Sequence, residues 1–176
     1  MVALLRTRPS QADFHRAISE RSDRWYAACL RITRNPDLAA DAVQDALLSA
    51  WAKRDQFQQS SKLDTWIHRI AVNAALQLLR RQKPGVFEPY ESEVASADPG
   101  PAESLDAAEL DDSLSAALQG LSDIERLCFV LKHLEQWRIR EIADELECSE
   151  GTVKQAVFRG VRKLRGRMDD LRRDSA

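Results

Sequence analysis

Residues 139–165 read "IREIADELECSEGTVKQAVFRGVRKLR", and the fold turns on how this stretch is divided. Ile139, Ile142, Ala143 and Leu146 recur at three- and four-residue spacing, the period of one helix face. This helix is expected over about 138–147. A short break follows, and Ser149 is expected to cap a second, longer helix from 150 to about 170. On that helix Val153, Val157, Gly160, Val161 and Leu164 fall within about 100° of arc. Thr152, Lys154, Gln155, Phe158, Arg159, Arg162 and Arg165 lie on the other side. Two amphipathic helices joined by a tight break, with the small Ala143 where they must cross, make a helix-turn-helix.

The polar side of the second helix is unusual. Residues 148–168 carry six basic residues and, after Glu150, no acidic one. Exposed helices ordinarily mix signs and gain weak i,i+4 pairs. A merely solvated face would suit the arginines, but neither Phe158 nor the missing acids. Such a cluster suits nucleic acid, although acidic protein partners use basic patches too. In helix-turn-helix geometry the second helix enters the major groove. There Lys and Arg reach guanine or phosphate, and Gln155 can pair with adenine. Glu150 either accepts from cytosine N4 or simply favours the helix dipole.

The chain as a whole is slightly acidic, at −2, so the basic face is a local feature. Residues 1–82 carry +5, residues 83–112 carry −8 and residues 113–176 carry +1. The acidic stretch "KPGVFEPYESEVASADPGPAES" holds four of the six prolines and lacks helical periodicity. It reads as a flexible linker. The sequence therefore predicts an all-α protein of two small helical domains, at 10–83 and 108–172, joined by an acidic linker over 84–107.

In the first domain a helix is expected over about 11–33, and Asn35-Pro36-Asp37 marks a break. Asp37 is expected to cap a helix over about 38–54, and Asp64 a helix over about 65–82. Ala42, Val43, Ala46, Leu47 and Ala50 make a core stripe on the first of these. On another face stand Asp41, Gln44, Asp45 and Leu48 at i, i+3, i+4 and i+7. That row reads either as a docking stripe for a partner helix or as an ordinary solvated face. Arg69, Asn73, Gln77 and Arg80 form a second polar stripe. Asn73 is a poor helix former in an apolar helix and a good reader of base edges. In the second domain Ser122 and Glu125 form a capping box for a helix over about 123–134.

Several function classes find no support. Gly-rich phosphate loops, nucleophile elbows and carboxylate–histidine clusters are absent, so no enzyme chemistry is expected. Cys29, Cys128 and Cys148 stand far apart, and His15, His68 and His133 add no zinc spacing. They read as reduced thiols, with no metal or cofactor. The N-terminus lacks a signal peptide's apolar run, and nothing approaches the roughly 18 apolar residues of a membrane span. A soluble, cytoplasmic protein without membrane insertion is expected.

The residues so far carry a family likeness. "DAVQDALLSAW" and "FQQSSKLDTWIHRIAVNAALQLLRR" resemble region 2 of the extracytoplasmic-function sigma factors of the sigma-70 family. "GLSDIERLCFVLKHLEQWRIREIADELECSEGTVKQAVFRGVRKLR" resembles their region 4. The resemblance covers most of residues 14–82 and 114–166, in the family's order. It implies a sigma factor that brings core RNA polymerase to promoters. It implies that the Asp41, Gln44, Asp45 and Leu48 stripe docks on the β′ clamp coiled coil. Residues Phe57, Ser60, Ser61, Lys62 and Leu63 would form the pocket for a flipped base of the −10 element, with Arg69, Asn73, Gln77 and Arg80 beside that strand. Glu150, Thr152, Lys154, Gln155, Phe158, Arg159, Arg162 and Arg165 would read the −35 element while the same region contacts the β flap. An anti-sigma factor is a further partner common in the family. The linker would thread toward the RNA exit path, where its charge suits mimicry of nucleic acid.

This chain departs from the family pattern in places. Ser122 stands where the family has Pro, and Glu147 where its turn carries Gly. The family's "GTVKSRLxRAR" has become "GTVKQAVFRGV", so two arginines are Ala156 and Val161. The −35 preference is therefore expected to differ from the commonest one. Two rival readings remain. A stand-alone helix-turn-helix regulator would need a sensory domain, and residues 10–83 lack its alternating strands and helices. A helical adaptor explains the 41/44/45/48 stripe but not residues 151–168.

Overall fold

The computed structural model describes residues 8–58, 60–88 and 111–174. The chain divides into two compact units, residues 1–84 and 85–176. Helices and turns make up both, with no strand among the described residues.

The first unit is three helices packed pairwise: α1 (Gln11–Thr33), α2 (Pro36–Ala52) and α3 (Leu63–Gln82). Ser10 starts α1 with a capping box, its hydroxyl accepting from the Asp13 amide at 3.2 Å and its own amide donating to Asp13 Oδ2 at 2.9 Å. The Ser10 hydroxyl also donates to Asp13 Oδ2 at 2.7 Å, and with the Ser10 amide it holds the Asp13 carboxyl below its ordinary pKa. Arg34 ends the helix in the left-handed region at φ 54° and donates to the Leu30 carbonyl at 2.8 Å. The cap of α2 is Asn35, not Asp37. Its Oδ1 accepts from Asp37 N at 2.9 Å and Leu38 N at 3.2 Å. Pro36, with fixed φ and no N–H, suits the first helical position and moves the start two residues earlier than expected. Asp64 does not cap α3 either. The helix begins at Leu63 after Lys62, and Asp64 sits in its first turn and pairs with Arg21 of α1 at 3.3 Å.

Ala39, Ala42, Ala46 and Ala50 line the inner edge of α2, all fully buried. Val43 and Leu47, expected in the core stripe, are only half-buried. Trp25, Ile32, Ile67, Val72 and Leu76 from α1 and α3 supply the volume that α2 lacks.

The second unit holds α4 (Asp111–Leu118), α5 (Asp123–Phe129), α6 (Ile139–Glu145) and α7 (Glu150–Asp174). The Ser122–Glu125 capping box forms as expected. The expected helix over 123–134 does not run through, because Val130–Leu134 is a π-helical turn. Glu135 N donates to the Val130 carbonyl at 3.0 Å and Trp137 N to Leu131 at 2.9 Å. This widened turn lets Leu131 and Trp137 both face the core. Apolar spacing alone does not distinguish it from α-helix. His133 lies in it with its ring 5.0 Å from Phe129, and its Nε2 is buried with no hydrogen-bond partner among the described residues.

The helix-turn-helix is α6 and α7. Ile142, Ala143, Leu146 and Val153 are buried where they meet. Ser149 Oγ accepts from Thr152 N at 3.0 Å and caps α7. Glu147 sits in the turn at φ 54°, where a β-carbon is unfavourable and glycine is not. On α7 the buried line is Val153, Ala156, Gly160 and Leu164, with Val157 and Val161 only half-buried. The core stripe is thus rotated toward Ala156, about 60° round from Val153. Ala156 packs inward.

Two measurements check this description. Glu147→Gly should raise the urea midpoint at unchanged m, a gain of about 1 kcal/mol from relief of the left-handed backbone. Burial holds the His133 pKa below its ordinary 6.5, with Lys132 adding to the effect. The unfolded chain takes up that proton near its ordinary value and the folded chain does not. Stability from this site is therefore full above about pH 6.5 and declines as pH falls below it. Thermal unfolding across pH 5–7 should show a shallower loss in His133→Gln than in the wild type.

Candidate nucleic-acid and partner interfaces

On α7, Lys154, Gln155, Arg162, Arg165 and Glu150 are exposed, and Phe158, Arg159 and Thr152 are half-buried. The Thr152 hydroxyl lies 2.9 Å from Ser149 Oγ, so the cap occupies it. The exposed basic residues between positions 154 and 167 divide into two groups. Lys163 and Arg167 make contacts within the unit: Lys163 with Glu125, and Arg167 with carbonyls of α4. The exposed Lys154, Arg162 and Arg165 face solvent, with the half-buried Phe158 among them.

In the first unit the residues of the expected −10 site separate into two places. Phe57 is half-buried and its ring lies 5.3 Å from Trp66, tilted by 51°. Ser60, Ser61 and Lys62 are exposed and Leu63 is half-buried. Phe57, Lys62 and Leu63 form one wall of a cavity of about 530 Å³. Its other wall is α1, through Arg16, Glu20 and Arg21. Sequence reasoning missed that wall. No local pattern links α1 to a loop some forty residues away; the Arg21–Asp64 and Arg8–Asp55 pairs close the distance.

The second place is a groove of about 470 Å³ between α2 and α3. Trp66, Asn73 and Gln77 line it from α3, and Asp45, Ser49 and Lys53 from α2. Asn73 Oδ1 is buried with no hydrogen-bond partner among the described residues. Arg69 and Arg80 are half-buried on the same helix but do not line this groove. Asp45 thus borders both the α2 stripe and the α3 polar stripe.

Along α2, Asp41, Gln44, Asp45 and Leu48 are all exposed, with Leu48 at 64%. The stripe continues to Trp51, which is 40% exposed and which the sequence reading left out. Its i+3 spacing from Leu48 was the available signal. The Trp51 ring meets Phe14 edge-on at 5.2 Å, and the Arg54 guanidinium covers it at 4.0 Å. Both contacts fix the ring in place while leaving part of it open.

Other site types find little footing. No group of His, Cys, Asp and Glu able to hold a metal occurs among the described residues. Burial, with Cys148 nearby, pushes the Cys128 thiol up to about 12. No helix of the described residues is long and apolar enough to cross a membrane.

Comparison with known proteins agrees with these surfaces in kind. A family model described as "Sigma-70 region 2" matches residues 18–84, and one described as "Sigma-70, region 4" matches residues 111–164. The ECF RNA polymerase sigma factor SigW of Bacillus subtilis is 29% identical over 159 residues, 85% of either chain. The RNA polymerase sigma factor CarQ of Myxococcus xanthus is 30% identical over 163 residues, 92% of either chain. Among solved structures, the sigma factor RpoE of Bartonella quintana, in complex with the anti-sigma factor NepR, is 27% identical with a TM-score of 0.56. That match covers 89% of this chain and 97% of the other. Both regions in the family's order, on a two-unit helical chain, make this protein a member of the extracytoplasmic-function group of the sigma-70 family, a sigma factor directing promoter-specific transcription.

Proposed function

We propose that three surfaces of the chain divide the work of a promoter-specificity subunit. In this reading residues 10–83 dock on core RNA polymerase and open the −10 element. Residues 84–107 form the acidic linker, and residues 108–172 read the −35 element. The protein is a non-catalytic initiation factor, acting in the cytoplasm with polymerase. An anti-sigma factor is a further proposed partner.

The observation that carries the reading is on α2. Leu48 and Trp51 are the large hydrophobic residues left exposed among the described residues, and both lie on one stripe with Asp41, Gln44 and Asp45. Exposed apolar area flanked by acceptors suits a partner helix offering apolar and basic side chains. The β′ clamp coiled coil is the occupant proposed. A stand-alone DNA-binding regulator has no use for such a stripe.

Asp45→Arg should weaken core binding by about tenfold or more, as expected for reversal of a charge inside a contact. Co-elution with core at wild-type affinity would remove the docking role. The second test concerns the cavity. Phe57 beside Trp66 offers a ring on which an extruded base can stack, worth roughly 1–3 kcal/mol against an extrusion cost of a few. Phe57→Ala should slow open-complex formation about tenfold or more by that estimate. A promoter already mismatched across the −10 region should restore the rate. Permanganate reactivity of thymines measures both. A mutant equally slow on the mismatched template would place the defect elsewhere.

A further inference from the structure

Two exposed basic residues of α7, Lys163 and Arg167, reach back along one edge of the helix to the rest of the unit, and the Lys163 side chain stays 50% exposed. Lys163 Nζ donates to both oxygens of Glu125, at 2.9 and 2.7 Å, across 38 residues of sequence. The Glu125 side chain is 8% exposed and also accepts from the Ser122 amide at 3.0 Å. Burial alone would raise its pKa, but the bonds from Lys163 and Ser122 outweigh burial and hold it below the ordinary value. The carboxylate is therefore charged near neutral pH, and Lys163 is its counter-charge.

The neighbouring turns reinforce the same contact. One turn before Lys163 stands Gly160, where an added β-carbon would lie 3.4 Å from the Glu125 carbonyl oxygen. One turn after it, the Arg167 guanidinium lies over Gly120 and donates to the Ala117 and Ala116 carbonyls at 3.4 and 3.5 Å. Residues 160, 163 and 167 thus fasten one edge of α7 to α4 and α5.

The buried line of α7 mixes two interlocking side chains, Val153 and Leu164, with Ala156 and Gly160, whose small size leaves the middle of the helix with little steric hold on its roll. A hydrogen-bonded ion pair with one partner buried supplies the missing direction. We infer that Lys163 is a positioning residue, which through Glu125 fixes the roll of the recognition helix so that Lys154, Gln155 and Arg162 meet DNA in one register. This rests on the reading of α7 as the −35 helix.

The test uses full-length protein in holoenzyme, with Lys163→Met, Glu125→Gln, the double variant and Lys163→Arg. Promoter affinity is measured against salt, on a native and a scrambled −35 element. Lys163→Met and Glu125→Gln should each cut the native-to-scrambled ratio by about three- to tenfold, the scale of one base contact weakened. The double variant should be no worse than either single, and Lys163→Arg should retain most of the ratio. The slope of log affinity on log salt should stay at the wild-type value. Arg162→Ala, as a phosphate contact, should lower that slope by about one. Two results overturn the inference: a lowered slope for Lys163→Met with Glu125→Gln silent, which makes Lys163 a phosphate contact, or unchanged discrimination in both. The near-isosteric Glu125→Gln keeps the test open if Lys163→Met folds poorly. A wild-type holoenzyme blind to the −35 sequence would instead sink the reading of α7, and the inference with it.

Discussion

Close approach of helix backbones, permitted by small inward residues, is the constraint on which the rest of this protein depends. Ala39, Ala42, Ala46 and Ala50 let α2 lie against α1 and α3 with only methyl groups at its fully buried positions. Ala156 and Gly160 do the same for the middle of α7, between the buried Val153 and Leu164. A helix whose inner edge is made of small residues keeps its larger side chains for its other faces. On α2 those are Leu48 and Trp51, and on α7 they are the long cations and Phe158. Small inner residues and chemically rich outer faces are thus two sides of one packing solution. Its weakness is that such interfaces have little steric relief to hold a helix angle. Polar pairs compensate: Arg21 with Asp64 in the first unit, Lys163 with Glu125 in the second.

How much of this could be read beforehand depended on the range of the signal. The span of α1 from Gln11 to Thr33, the Ser122–Glu125 box and the Ser149 start of α7 are set by nearest neighbours along the chain, and each was legible. Asp37 and Asp64 have the chemistry of a cap, but Pro36 sets the start of α2 and α3 begins after Lys62 without a side-chain cap. The π turn at Val130–Leu134 escaped because its apolar spacing continues that of α5. Alanine is ambivalent, so Ala156 looked like an arginine lost from the DNA face rather than a core residue gained.

The candidate sites show the same limit. The α2 stripe and the exposed side of α7 were legible because each lies on a single helix. The α1 wall opposite Phe57 and Lys62, and the shared border of Asp45 with Asn73, join residues that only tertiary packing brings together. Charge counting along α7 could not separate Lys163 and Arg167 from Arg162 and Arg165. The distinction lies in Glu125 and the carbonyls of α4, well outside the helix itself.

Glu147 carries a consequence of another kind. Its positive φ sits in the turn that sets α6 against α7, and glycine would occupy the same backbone without steric strain. Codons for glutamate and glycine differ by a single nucleotide, so the relieving change is always within mutational reach. Natural selection removes variants that fall below a required stability and is indifferent to surplus above it. A blemish so cheaply mended, and left in place, marks a turn already firm enough for its work.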